Sequence, residues 1–332
     1  MTKPRVLVIE TGGTIAQTKG KDKILRISPK PVTSEVINKF HNIDIDVERM
    51  KPIDSTEMKT EDRVQIAKII YDNVNNYDGF VVVHGTDTMA DTSAALTYML
   101  QDVGKPIILT GSILPLEHPR TDGYYNLESA ITIATLDIGE VAIVFGNGIY
   151  RGSRTVKIDS GAFSAFDSPR SLKIGENEIN IKLAPTRIQR FEGNSKLFTE
   201  FDTNISIFYP VSGVNTNDFD LRVENPNIHG IVFVGVGKGN ISEEYYRGIK
   251  KAKELDKPVV IVSECLKGTV EGTYEVGAIP LQLGAISGKD LTLQAAVQKL
   301  MYALGLVQIQ GENVIEQVTE ILNTNFGDIK QS

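Results

Sequence analysis

The sequence predicts an α/β protein built on mostly parallel sheets flanked by helices. Three observations predict it. Apolar runs of strand length are uninterrupted in "RVLVIE" (5–10), "GFVVVHG" (79–85), "PIILTG" (106–111) and "VAIVFG" (141–146). Strands covered on both faces read this way, whereas half-buried strands alternate. Segments of helical period separate the runs, the order expected of a parallel sheet with crossover helices. The rhythm also stops over residues 151–205 and then returns, which divides the chain.

The elements follow in order. After the strand at 5–10, Thr60 is expected to cap a helix with Glu61 and Asp62 in its first turn, where the helix dipole favours acids. Val64, Ala67, Tyr71 and Val74 are expected on its inner face. The strand at 79–85 leads to a helix at 88–102, the strand at 106–111 to a helix at 122–136, and the strand at 141–146 closes the first group. Residues 151–205 read as hairpins and loops, with "RTVKIDS" (154–160), "ENEINIKL" (176–183) and "SKLFTEF" (195–201) as candidate strands. Then come a strand at 230–235, a helix at 243–255 capped by Ser242, a strand at 258–264, and helices at 291–304 and 313–323. The expected domains are 1–190 and 211–332, joined by a linker at 191–210. In open parallel sheets ligands bind beyond the carboxyl ends of the strands, so the turns after the strands are the place to look for function.

Composition narrows the class. The 332 residues are 41% apolar, which supplies a sizeable core, and the net charge of −7 with no long basic run argues against nucleic acid as a partner. "KGKDK" (19–23) reads as a solvated loop. The single cysteine, Cys265, excludes an internal disulfide and is expected to be a small buried residue rather than a thiol nucleophile. No clustered Cys or His suggests a metal. The apolar run at the N-terminus is too short for a signal peptide and meets an acid at Glu10. No stretch approaches the ~18 apolar residues of a membrane span. No membrane partner is expected, and the cytoplasm is the expected location.

Two post-strand turns carry chemistry. "VIETGGTIAQT" (8–18) ends a buried strand in two glycines and places Thr14 in the turn. It is neither a phosphate loop nor a dinucleotide fingerprint, because G-x-x-x-x-G-K-[ST] and the third glycine of G-x-G-x-x-G are absent. "VVVHGTDTMADT" (81–92) repeats the arrangement with Gly85 and Thr86, and adds Asp87. A hydroxyl needs a base to become a nucleophile, and backbone N–H groups in glycine turns can hold an oxyanion. His84 neighbours Thr86 but ends a very apolar run, so it is expected to be structural. Lys157, in "RGSRTVKIDS" (151–160), is a candidate base if burial favours its neutral amine. No GxSxG elbow is present.

These residues resemble a known family. "TGGTIA" (11–16) with "HGTDTM" (84–89) is similar to the paired signature of bacterial-type L-asparaginases. "DSTEM" (54–58), "TGSILP" (110–115), "DGYYNL" (122–127), "YRGSRTVK" (150–157), "GVGKGN" (235–240), "EGTYEVG" (271–277) and "ISGKDLTLQAAVQKLMYALG" (286–305) resemble the family as well. The wording of the fourth and last of these is similar to the cytoplasmic type I branch. The resemblance implies a larger N-terminal and a smaller C-terminal domain. It implies L-asparagine hydrolysis through a threonine acyl-enzyme, with no metal or organic cofactor. Thr14 would be the nucleophile. Thr86, Asp87 and Lys157 would form the second catalytic group. Ser55 would hold the substrate α-carboxylate with Thr56 lining the pocket, and Asp87 the α-ammonium. Glu275 would reach that ammonium from a neighbouring subunit, with Asn240 nearby, in a homodimer or homotetramer with inter-subunit active sites.

The zwitterion chemistry is compatible: a carboxylate takes hydroxyl and N–H donors, and an ammonium takes carboxylates. Asn and Gln differ by one methylene, worth about 1–3 kcal/mol in a pocket, so some glutaminase activity is expected. The family's lid after the first turn carries a tyrosine; "AQTKGKDKILRISP" (16–29) has none, so another group assists Thr14 or the lid works differently. For Lys157, the adjacent Asp87 favours the charged ammonium and burial the neutral amine, so an orienting charge and a base both stand. Three rival readings share the fold. An ammonia-supplying subunit of a tRNA-dependent amidotransferase would show a basic surface and an added N-terminal domain. A non-catalytic amino-acid sensor would show a broken site. A broader glutaminase-asparaginase would keep the site intact.

Overall fold

A computed structural model of the chain describes residues 2–20, 22, 24–27, 33–214, 217–307 and 313–330. Lys21, Lys23, Ser28 and Pro29 of the stretch expected as a lid, and the ends of the C-terminal tail at 311–312 and 331–332, lie outside the described residues. The chain forms two compact units, Met1–Ser168 with Leu172–Phe198, and Pro169–Ser171 with Thr199–Ser332.

The first unit contains β1 (Arg5–Gly12), β2 (Asp44–Ile53), α1 (Thr60–Asn73), β3 (Gly79–Val83), α2 (Met89–Met99), β4 (Ile107–Thr110), α3 (Gly123–Ile133), β5 (Val141–Phe145), β6 (Gly148–Arg151), β7 (Gly175–Glu176) and β8 (Lys182–Leu183). They make an eight-stranded sheet in the order β8-β7-β6-β5-β4-β3-β1-β2. β1 to β5 are parallel and β6 to β8 antiparallel. The uninterrupted apolar runs are buried on both sides. Val6, Val8, Val81, Val83, Ile108 and Val144 share a core with Leu127, Ala130 and Ile131 of α3. Leu7, Ile9, Phe80, Val82 and Leu109 alternate with them on the opposite face and are equally buried.

Several local expectations are corrected. Thr60 is the first helical residue rather than the cap. Lys59 caps α1, and the Asp62 carboxylate accepts its backbone N–H at 2.9 Å, half of a capping box. The buried stripe of α1 is Arg63, Ile66, Ala67 and Ile70, with Val64 and Tyr71 half-buried on its shoulder. Ala67 and Val74 of the expected inner face are buried, while Val64 and Tyr71 are displaced to the shoulder and Arg63 takes an inward place. β2 had no apolar signal: "DIDVERMKPI" is the charged edge strand of the sheet. The stretch 191–210 holds ordered strands, Lys196–Leu197 antiparallel to Leu100–Gln101 and β9 (Ile205–Phe208).

The second unit adds α4 (Asn217–Glu224), β10 (Gly230–Gly235), α5 (Tyr246–Glu254), β11 (Val259–Ser263), α6 (Glu275–Gln282), β12 (Ile286–Ser287), α7 (Leu293–Leu306) and α8 (Val314–Asn323). β9-β10-β11-β12 form an entirely parallel four-stranded sheet. Phe208, Phe219, Phe233 and Tyr245 stack in its core with centroids 5.1–5.8 Å apart at steep angles, the geometry aromatic quadrupoles favour. Ser242 precedes a 3-10 turn that leads into α5, but its hydroxyl donates to the Glu244 carboxylate at 3.0 Å instead of capping backbone. The short segment Pro169–Ser171 joins this unit because the Arg170 guanidinium donates to the carbonyls of Ser263, Cys265, Leu266 and Leu291. Cys265 is exposed, not buried: β11 ends at Ser263, so the cysteine lies past the sheet. Among the described residues no helix is long and apolar enough to cross a membrane.

Candidate active site

β1 is where the order of the first sheet reverses. The chain leaves β1 for β2 on one side and returns to β3 on the other, so β1 has a parallel neighbour on each flank. The carboxyl ends of β2, β1 and β3 are therefore side by side, and the segments that follow them carry Ser55, Thr14 and Thr86. This is the crevice position expected of an open parallel sheet.

The glycines allow these segments to touch. A Cβ on Gly13 would lie 2.5 Å from both the Cα and the N of Gly85, and Gly13 has φ of +84°, a conformation that side chains rarely adopt. A Cβ on Gly85 would lie 2.5 Å from Ser55 Oγ. The turn after β1 thus packs on the turn after β3, and that turn packs on Ser55. Thr14 opens a 3-10 turn (Thr14–Ala16) and is half-buried. Thr86 is 6% exposed and Ser55 3% exposed.

Lys157 completes the group from the short strand Val156–Lys157, which pairs with Phe166–Asp167. Its Nζ donates to Asp87 Oδ1 at 2.6 Å and to Thr86 Oγ1 at 2.9 Å. The Lys157 side chain is largely buried, at 17% exposure, while Asp87 is open at 58%. An ammonium so placed fixes the Thr86 oxygen as an acceptor, which directs the hydroxyl hydrogen away from Lys157. The Gly13 N–H is taken by the Ile53 carbonyl at 3.3 Å, which leaves oxyanion donation to other amides of the two turns.

His84 is fully buried, as expected of a structural residue. Its Nδ1 lies 2.7 Å from the Gly85 carbonyl, which can only accept, so the imidazole donates there. Burial pushes the imidazole down to about 4, and the charge of Arg63 adds to the effect, so His84 is neutral near pH 7. Thr56 is exposed, and its hydroxyl and backbone N–H both donate to Asp54 Oδ1 at 2.9 and 3.0 Å. That turns the segment after β2 and presents Ser55 inward.

Sequence reasoning did not single out several residues that build this end of the sheet. Thr88 Oγ1 donates to the Ser55 carbonyl at 2.7 Å and ties the segment after β3 to the one after β2. Asp122 accepts from the backbone N–H groups of Ile113 and Leu114, and Asn126 donates to Asp122 and to the Gly111 carbonyl. The "TGSILP" and "DGYYNL" segments are thereby one hydrogen-bonded corner beyond β4. Their signal in the sequence was a polar residue at the start of an apolar helix, which reads equally well as a cap. The described part of the expected lid is a small antiparallel ribbon, Gln17–Lys19 against Leu25–Ile27.

Asn240 and Glu275 belong to the second unit. Val236 to Asn240 form a tight turn after β10, and Glu275 begins α6. The two segments meet through the Ile241 N–H to the Val276 carbonyl at 3.0 Å. Among the described residues the buried Asn240 Oδ1 has no hydrogen-bond partner, and a Cβ on Gly277 would stand 3.0 Å from it. Glu275 is exposed.

Comparison with known proteins agrees with this architecture. Residues 5–189 match the family described as Asparaginase, N-terminal, and residues 204–315 match the Glutaminase/Asparaginase C-terminal domain. The chain is 32% identical to L-asparaginase 1 of Escherichia coli strain K12 over 92% of its own length and 93% of that protein. It is 34% identical to an L-asparaginase of Dirofilaria immitis over 76% of its length, a stretch that spans only 44% of that longer relative. The solved structure of the thermostable L-asparaginase from Thermococcus kodakarensis superposes with a TM-score of 0.89 at 30% identity, covering 99% of this chain and all of that one. With both of its units matched in sequence and its whole length matched in structure, the chain belongs to the asparaginase family.

Proposed function

We propose that this chain is an L-asparagine amidohydrolase that releases L-aspartate and ammonia. One observation carries the reading: two threonine-bearing turns pack against each other, and one threonine shares a lysine with an aspartate at hydrogen-bond distance. A sensor without catalysis has no use for a lysine ammonium held on a hydroxyl oxygen. In this reading Thr14 Oγ adds to the side-chain amide carbon and the carbonyl oxygen is held by amides of the glycine turns. The hydroxyl proton leaves with the amide nitrogen as ammonia, assisted by Thr86, whose oxygen the Lys157 ammonium orients. Water then cleaves the Thr14 ester. Lys157 acts here as a charge that orients Thr86 and pairs with Asp87, since it donates to both.

Ser55 takes the substrate α-carboxylate with Thr56 lining the pocket, and Asp87 takes the α-ammonium together with Glu275 of a neighbouring subunit, with Asn240 nearby. The assembly is a homodimer or homotetramer, and the protein works in the cytoplasm. The domains that support this reading are 1–190 with the threonine turns and 211–332. A glutaminase-asparaginase of broader specificity is the nearest alternative, because only one methylene separates the two amides and a pocket discriminates it by about 1–3 kcal/mol.

The test is ammonia release from L-Asn and L-Gln by wild type, Thr14→Ala, Thr86→Ala and Lys157→Met. The expected outcome is a wild type that prefers Asn, and folded variants whose kcat falls by a factor on the order of 10²–10⁴, the range of acid–base groups. A wild type that releases no ammonia from either amide would remove the hydrolase reading.

A further inference from the structure

We propose that Lys238 and Glu271 form a surface latch that sets the position of Glu275 and Asn240, and thereby the affinity for the substrate's α-ammonium. The inference rests on the reading of Glu275 and Asn240 as ammonium-binding residues. Those two residues sit on separate segments. Asn240 closes the turn Val236–Asn240, in which Gly237 and Gly239 both have positive φ (+56° and +85°). Glu275 follows the run 269–274, which has no strand or helix of its own, and begins α6.

Glu271 is the hub of that run. Its Oε1 accepts from Thr269 Oγ1 at 2.5 Å, and its Oε2 from Thr273 Oγ1 at 3.2 Å and Lys238 Nζ at 2.9 Å. Its backbone N–H donates to the Lys238 carbonyl at 3.2 Å. The two threonine hydroxyls, one on each side, curl residues 269–273 around a single carboxylate. The lysine and the backbone bond then fasten the curl to the turn that carries Asn240. Glu271 is four residues from Glu275, and Lys238 two from Asn240, so the latch spans the base of both. On the inner side, the Ile241 N–H to Val276 carbonyl bond holds the same two segments together, and Gly277 leaves space for the Asn240 carboxamide. Three hydroxyl and ammonium donors, led by Thr269, hold the Glu271 carboxyl down to about 2, so it is ionised near neutral pH.

In the single chain both partners are half exposed, Lys238 at 48% and Glu271 at 51%. Exposed ion pairs add little to global stability and are screened by salt. The latch therefore acts on geometry, and its signature is in KM rather than in Tm. Lys238 and Glu271 are positioning residues; neither touches the substrate in this reading.

The experiment measures steady-state kinetics on L-Asn for wild type, Glu271→Gln, Lys238→Met, the double variant and Glu275→Ala, each at low and high NaCl. The latch predicts that Glu271→Gln and Lys238→Met each raise KM by roughly three- to tenfold with kcat nearly unchanged and Tm unmoved, and that the double variant is no worse than either single one, as for two residues acting as one unit. It also predicts that added salt raises the wild-type KM more steeply than that of Glu271→Gln, whose latch is already broken. If Glu275→Ala raises KM while the latch variants keep wild-type KM and salt response, the latch is refuted and the ammonium site stands. If Glu275→Ala itself leaves KM unchanged, the ammonium reading fails and the latch, with nothing to position, falls with it.

Discussion

Replacing Gly85 with alanine tests whether the contact between the two threonine turns is what assembles the site. Gly85 does not have a left-handed φ, so alanine is compatible with its backbone and the effect isolates the contact. The new Cβ would stand 2.5 Å from Ser55 Oγ, 2.7 Å from Ser55 Cβ and 3.3 Å from Gly13 Cα, where ordinary contact begins at 3.4 Å. The shortfall at the worst contact is 3.4 − 2.5 = 0.9 Å. Ser55 has little room to retreat, because it is 3% exposed and its carbonyl is held by Thr88 Oγ1 at 2.7 Å. The turn bearing Thr86 must therefore separate from Ser55 and Thr14 by close to an ångström. Misplacement of about 1 Å costs a reaction on the order of 100-fold, while overpacking costs stability only about 1–3 kcal/mol. No catalytic or binding side chain is replaced, so the loss reports the alignment of Ser55 and the two threonine turns. The assay is kcat/KM for ammonia release from L-Asn, with a thermal melt to establish that the variant is folded. A folded Gly85→Ala enzyme with kcat/KM within about threefold of wild type, a difference below 1 kcal/mol in the barrier, would refute the idea that this close approach aligns the reacting groups.

Two further outcomes concern buried charge. His84 is neutral in the folded protein down to about 4, against 6.5 for an unperturbed imidazole. As pH falls through that window the unfolded chain takes up a proton that the folded chain refuses, so stability is lost, by about 3 kcal/mol at pH 4. Urea unfolding of wild type and His84→Gln at pH 7 and pH 4.5 should show a smaller acid loss in the variant; equal losses would show that His84 is not the group responsible. Lys299 and Asp328 are both fully buried, 2.7 Å apart, and Lys299 also donates to the carbonyls of Leu322 and Thr324. Lys299→Met should destabilise by about 3–5 kcal/mol because the buried Asp328 carboxylate loses its counter-charge, and adding Asp328→Asn should restore part of it; a double variant as unstable as the sum of the singles would remove the pairing as the cause.

The core of the first sheet was legible because its strands are buried on both faces, and such strands can only be apolar runs. β2 was not, since an edge strand tolerates charge and "DIDVERMKPI" has no apolar period. The same asymmetry runs through the site. Thr14, Thr86 and Asp87 follow glycines at strand ends and can be read in one dimension. Thr88 and Asp122 act through bonds to backbone of other segments, and their local sequence gives no hint of a partner. Arg170 is the extreme case, a residue from the middle of a loop-rich stretch whose guanidinium belongs to the second unit.

By itself, then, the sequence determined the elements whose cause is local: apolar strands, helical periods, the glycine turns and the hydroxyls and acid that follow them. Only the tertiary structure decided that β1 lies between β2 and β3, so that Ser55, Thr14 and Thr86 share one end of the sheet. It also decided that Lys157 meets Thr86 and Asp87 across 70 residues of chain or more, and that Thr269, Thr273 and Lys238 all donate to the Glu271 carboxylate. The physical reason is that strand order and side-chain pairing depend on which surfaces pack together, and packing joins residues that no spacing along the chain relates.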